Sequence, residues 1–167
     1  MRTGTFWLLA VVAISLAVPG VAHGAQPKAI DKAYLQEILD TWSSFDIDKV
    51  GHYYVQGPNH LFFDIAPLKY NNWDEYAAGV KPLLKQYSSF KFKINDDLQI
   101  HPAGNVTWVD ATLDVDTTTA AGEQQPMVFR WTLILEKQNG HWIIQHEHVS
   151  VPLSPPKEPR LFFQLLR

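Results

Sequence analysis

His146, His148 and Ser150 occupy every second position of the run Ile144-Gln145-His146-Glu147-His148-Val149-Ser150. Alternate residues of a strand point to one face, so this spacing would gather two imidazoles and a hydroxyl on one surface. Imidazole changes charge near neutral pH, which suits it to moving a proton or ligating a metal. Arg130 lies in the preceding apolar run, where a guanidinium could clamp an anion or a developing oxyanion. Asp64, within Phe62-Phe63-Asp64-Ile65, is a second kind of acid–base group. A carboxylate among aromatic residues loses hydration, and its pKa rises toward a range where it can take a proton. Each residue also has a plainer reading. One histidine would be a satisfied core residue and the other would pack at a pocket mouth. Arg130 would pair with Glu147 or Asp110, and Asp64 would cap a turn.

Whether Arg130 meets the histidines depends on the hairpin between them. Asn139-Gly140 is a strong turn signal, because glycine takes positive φ without steric cost. A two-residue turn pairs Gln138 with His141 and sets Trp131 and Leu133 beside His146 and His148. A three-residue loop with a glycine bulge pairs Lys137 with His141 instead. One face then holds Val128, Arg130, Thr132, Ile134, Trp142, Ile144, His146, His148 and Ser150. The other holds Phe129, Trp131, Leu133, Leu135, Ile143 and Val149, with Gln145 and Glu147 among them. A one-residue slip exchanges these faces. The bulged register is preferred, because it collects the polar residues into one inward constellation. It turns a strongly apolar face outward, and such a face marks an interface. A homodimer through the outer sheet face is therefore expected.

His-x-His on a strand, joined by His60, His101 or Asp64, could bind zinc. Local spacing fixes no third ligand, so no metal site is assigned and no cofactor is expected. The chain has no cysteine, which removes disulfides, thiolate zinc sites and thiol nucleophiles. It carries no Gly-rich phosphate loop, and its net charge of -3 gives no basic footprint for nucleic acid. Tyr54, Tyr70, Trp73, Trp108 and Asp110 complete the candidate pocket residues; aromatics at such spacings also serve as core.

The elements that must position these groups follow from periodicity. The 167 residues, 46% of them hydrophobic, suit one domain with a real core. Met1-Arg2, an apolar run from Phe6 to Val18 and the small-residue ending at Gly24 have the form of a secretory signal peptide. The run falls short of the ~20 residues a membrane span needs. Residues 1–24 are thus expected to direct export to the periplasm or the medium, with no membrane contact after cleavage. Helical spacing predicts a helix over 29–44, and Asp46 can cap a second over 47–54. A turn at 56–59 and a short strand at 60–65 follow. Asn72 and Glu75 have capping-box logic for a helix that contains Pro82, a kinking residue. The period then changes to alternation, predicting strands over 89–101, 105–117, 126–138 and 141–151. Residues 153–167 read as a Pro-rich tail.

This order resembles the cone-shaped NTF2-like fold, in particular its SnoaL-like or ketosteroid-isomerase-like group. The residues that carry the resemblance are Phe45-Asp46-Ile47-Asp48, Tyr53-Tyr54, Phe62-Phe63-Asp64, the segment Tyr70 to Tyr76, and the closing hairpin from Arg130 to Ser150. It implies an α+β domain over 25–152, with N-terminal helices packed on a curved antiparallel sheet that encloses a pocket. It also implies the inward orientation of the histidine face. Asp64 matches the position of the proton-abstracting aspartate of ketosteroid-isomerase-like proteins. The family's oxyanion-hole tyrosine does not carry over: Ile38 stands there, with Tyr34 one turn away. Asp110 only loosely mimics the family's protonated aspartate donor. The fold hosts many activities, so activity has to come from the site. Two readings remain. One is a cofactor-free acid–base enzyme of isomerase or dehydratase type acting on an apolar, carbonyl-bearing molecule, with Asp64 or His148 as base and Arg130 on the oxyanion. The other is a non-catalytic dimeric module for ligand binding or association.

Overall fold

The computed structural model describes residues 29–153. The leader and nearly all of the Pro-rich tail lie outside the described residues. The first helix, α1 (Lys32–Ser43), opens where the Asp31 carboxylate accepts the Tyr34 backbone N–H at 2.8 Å. Its buried stripe is Tyr34, Leu35, Ile38 and Leu39, one face of a 3.6-residue period. Asp46 caps α2 (Ile47–Gly51) in the same way. This helix stops short of Tyr54, whose segment instead bridges to Ile144.

Strand β1 (Pro58–Phe63) pairs antiparallel with the short β2 (Tyr70–Asn72). The Asn72 side-chain amide oxygen then caps α3 (Trp73–Leu84) by accepting the Glu75 backbone N–H at 2.8 Å. The Glu75 carboxylate reaches back to the backbone N–H of Asn71 rather than of the cap residue. Pro82 sits in the last turn of α3. The strand expected over 89–101 is two strands, β3 (Tyr87–Ile94) and β4 (Gln99–Ala103). Both pair with β5 (Val106–Thr119), separated by a loop whose Asp97 carboxylate accepts the Thr112 backbone N–H. Strands β6 (Gln124–Gln138) and β7 (His141–Ser150) complete the meander.

The sheet order is β2-β1-β7-β6-β5-β3, with β4 also on β5. Strand β1 lies parallel to β7, through Phe62↔Glu147 and Phe63↔His148. The expectation of an antiparallel sheet is thus corrected to a mixed one. The helices cover the concave face of this curved sheet, and the core lies between them.

The hairpin corrects the preferred register. Gln138 pairs with His141, and Asn139 and Gly140 take positive φ, which makes a two-residue turn. The extra residue sits farther on: Leu135 pairs with Ile144 and Ile134 with His146, so Gln145 is a bulge within β7. Beyond it, Arg130, Thr132 and Ile134 oppose Ser150, His148 and His146; they share one face as expected, though two residues out of the expected pairing, and this polar face points outward. Ile144, expected beside His146, is fully buried with Leu135. Phe129, Trp131, Leu133 and Leu135 are at most 6% exposed. The hydrophobic effect decides the matter: turning four such side chains to water would cost about 1.5–3 kcal/mol each.

Candidate active site

An apolar cavity of about 630 Å³ lies between the concave face of the sheet and helices α1 and α3. Leu39 and Trp42 contribute to its wall from α1; Tyr76, Gly79, Val80, Leu83 and Leu84 come from α3. Strands β3 and β5 to β7 supply Phe90, Phe92, Leu113, Met127, Phe129, Trp131, Glu147 and Val149. The β1–β2 connection closes the ring with Asp64 to Pro67, followed by Tyr70 on β2. Two of these side chains are acids, Asp64 and Glu147.

Glu147 is 3% exposed, and its carboxylate is held from three segments of the chain. The hydroxyls of Tyr54 and Tyr76 donate to Oε2 at 2.8 and 3.0 Å. The Trp131 indole N–H donates to Oε1 at 2.7 Å. Behind them, the Trp42 indole N–H donates to the Tyr54 hydroxyl at 3.0 Å. A buried carboxylate is tolerated only with such partners. Burial pushes the Glu147 pKa above its ordinary value, donation from Trp131 and Tyr54 pulls it down, and the Asp64 charge raises it further. Burial, followed by the Glu147 charge, drives both phenols well above their ordinary values, so they remain donors. The rings also pack: Tyr76 stacks on Tyr70 at 4.9 Å and on Phe62 at 5.5 Å.

Asp64 follows the last residue of β1. Burial raises its pKa, and the Ile65 backbone N–H at 2.7 Å only partly offsets this. Nearby, the Tyr70 ring lies against α3 where the chain has glycine. A Cβ on Gly79 would fall 2.6 Å from the Tyr70 hydroxyl oxygen. The Tyr70 hydroxyl itself donates to the Ala66 carbonyl at 3.3 Å.

Of the residues singled out in the sequence, the structure brings Asp64 and Tyr70 to the cavity. Tyr54 and Trp73 stack on each other at 4.6 Å and border a separate depression near α2. Tyr54 does not line the cavity but bonds to Glu147 and Trp42, which do. His146, His148, Arg130, Ser150, Trp108 and Asp110 do not line the cavity, which corrects the expected inward constellation. Their strands turn these positions to the convex side, opposite Trp131 and Glu147. His146 Nδ1 lies 2.7 Å from the Leu61 carbonyl; a carbonyl only accepts, so Nδ1 carries the proton. Phe63 packs edge-on between the two histidine rings. His101 stacks on Trp108 and approaches Asp110 at 3.6 Å, while the Asp110 carboxylate also accepts from Thr132. Glu147 lies on the far side of the sheet from Arg130 and is not its partner. Tyr34 does not border the cavity; its hydroxyl faces the Trp142 carbonyl at 3.4 Å, and burial raises its pKa to about 12. No group of three or more His, Asp or Glu among the described residues is placed to hold a metal.

Glu147, Tyr76 and Trp131 were missed as site residues. The signal was present: Glu147 alternates in phase with Trp131, Leu133 and Val149, and an acid on an apolar face must find donors.

A family model for the SnoaL-like domain matches residues 32–154, and the chain belongs to that family. Curated proteins give no match. Among solved structures, an NTF2-like superfamily protein from Salmonella enterica serovar Typhimurium is 21% identical with a TM-score of 0.61, over 75% of this chain and 94% of that one. A ketosteroid isomerase-like protein from Erwinia carotovora atroseptica is 16% identical at 0.60, over 73% and 92% of the two chains. A candidate dehydratase of the NTF2-like family from Streptomyces avermitilis is 10% identical at 0.64, over 74% and 96%. At these identities the likeness establishes the NTF2-like fold.

Proposed function

We propose that the cavity takes up a small, largely apolar, carbonyl-bearing molecule and that Asp64 acts on it as general base. The chemistry would be cofactor-free and of isomerase or dehydratase type. One observation carries this reading: an apolar cavity has in its wall a carboxylate whose pKa burial raises. Such a group can take a proton from the carbon next to a carbonyl and return it elsewhere. The electron pair from the broken C–H bond moves to the carbonyl oxygen. Arg130, on the convex face, is too badly placed to receive that charge. The Tyr70 hydroxyl is the donor we assign instead, since its present bond to Ala66 is long. The ketosteroid isomerase-like and dehydratase-named neighbours agree with this chemistry.

The test is proton exchange at carbon. A panel of unsaturated ketones is incubated with the protein in D2O and followed by NMR. Exchange should be lost in Asp64→Asn while ketone binding persists. Undiminished exchange in that variant would remove Asp64 from the role.

A non-catalytic module remains the second reading, favoured by the convex face. Trp108, Val128 and Ile134 are 43%, 48% and 39% exposed there, a surface that a second copy would cover. We infer export from residues 1–24 on the sequence pattern alone.

A further inference from the structure

We infer that the cavity selects its ligand by charge: it takes a hydrophobic ammonium whose N–H group is received at Glu147, and it rejects carboxylates and phosphates. This rests on the proposed small-molecule cavity and adds a cationic head to the apolar body. Among the described residues, the cavity wall contains Asp64 and Glu147 but no lysine, arginine or histidine. An anion entering it would meet two carboxylates and no counter-charge. A cation would supply the charge that both lack, and unpaired buried charge is costly.

Glu147 is built to receive a donor. Its Oε2 already accepts two hydrogen bonds, from Tyr54 and Tyr76. Its Oε1 accepts one, from Trp131. A carboxylate oxygen has two lone-pair positions, so Oε1 retains one, and Glu147 borders the cavity. Aromatic rings provide the remaining recognition. Trp42, Tyr76, Phe90, Phe129 and Trp131 lie in the wall, and ring faces attract cations most when water is excluded.

Three probes with one hydrocarbon body test this by calorimetry: 3-phenylpropylammonium, 3-phenylpropan-1-ol and 3-phenylpropanoate. The ammonium should bind roughly tenfold more tightly than the alcohol, about the worth of a desolvated cation–ring contact. The propanoate should show no heat. Glu147→Gln should remove the ammonium's advantage over the alcohol, both measured on the same variant. Should that variant fail to fold, Asp64→Asn serves in its place and should also narrow the preference. Equal binding of propanoate and ammonium, or a full preference in the variants, overturns the inference. Binding of the alcohol with no gain for the ammonium overturns charge selection alone and leaves the cavity reading standing. No binding by any of the three overturns both.

Discussion

The two faces of strands β6 and β7 differ sharply in what they bury. On the concave side, Trp131, Leu133, Glu147 and Val149 are buried or nearly so. On the convex side, Arg130 and His148 are exposed, and His146 needs only the Leu61 carbonyl. The histidines are the residues that a reader of sequence would choose for chemistry. The fold leaves them toward water and takes in a single carboxylate. Reactivity in isolation is therefore a poor guide to position. The apolar neighbours of a polar residue settle which face goes in, and the polar residue that goes with them must bring its partners. Glu147 does so with two phenols and an indole.

Mutations on the two faces should differ accordingly. Glu147→Ala removes the acceptor from three buried donors and should cost roughly 3–5 kcal/mol by urea unfolding. A loss near zero would mean that the network does not hold the fold. Gly79→Ala forces its Cβ against the Tyr70 ring; it should cost about 1–3 kcal/mol, typical of overpacking, and weaken any cavity ligand. At the other extreme, His148→Ala should stay within about 0.5 kcal/mol in the same measurement. A large drop there would place the structural burden on the convex face and break the contrast.

Between these lies a pH effect of opposite sign to the usual carboxylate. The folded-state pKa of Asp64 is raised above its ordinary value of 3.8, so the native state holds its proton longer than the unfolded chain. Stability linked to Asp64 is fully present below the ordinary value and is lost as pH rises through the folded value. Asp46, Glu75, Asp97 and Asp114 are shifted the other way, so the comparison must be differential. The melting temperature of Asp64→Asn should gain on that of the unaltered protein as pH rises above about 4. A constant difference would show that Asp64 is not desolvated in solution.

Much of the fold was legible because periodicity is a direct record of burial. The stripe Tyr34, Ile38, Leu39 gave α1; Asp46 and Asn72 marked two helix starts through their short acceptor side chains. The alternation from Phe90 onward gave the strands. Two features resisted. The bulge at Gln145 has no residue signature, since any side chain can occupy it, and it resets the faces of β7. The parallel pairing of β1 with β7 joins segments about 85 residues apart, a separation across which local pattern carries no information. In the candidate site, the place of Asp64 at the cavity was legible from the family resemblance, together with the two phenylalanines that precede it. Glu147 was not, because reversing the sheet hid an acid that its apolar neighbours Trp131 and Val149 were carrying inward.

NMR of the tryptophan indole N–H groups distinguishes a ligand in the concave cavity from one on the histidine face. The resonances are assigned by single Trp→Phe replacements and followed during addition of 3-phenylpropan-1-ol. Trp42 and Trp131 border the cavity, whereas Trp108 lies on the convex face beside His101. With the ligand in the cavity, the Trp42 and Trp131 signals should shift with saturation while Trp108 stays still. Movement of Trp108 with Trp42 and Trp131 unmoved would contradict that placement and return the search to His146 and His148.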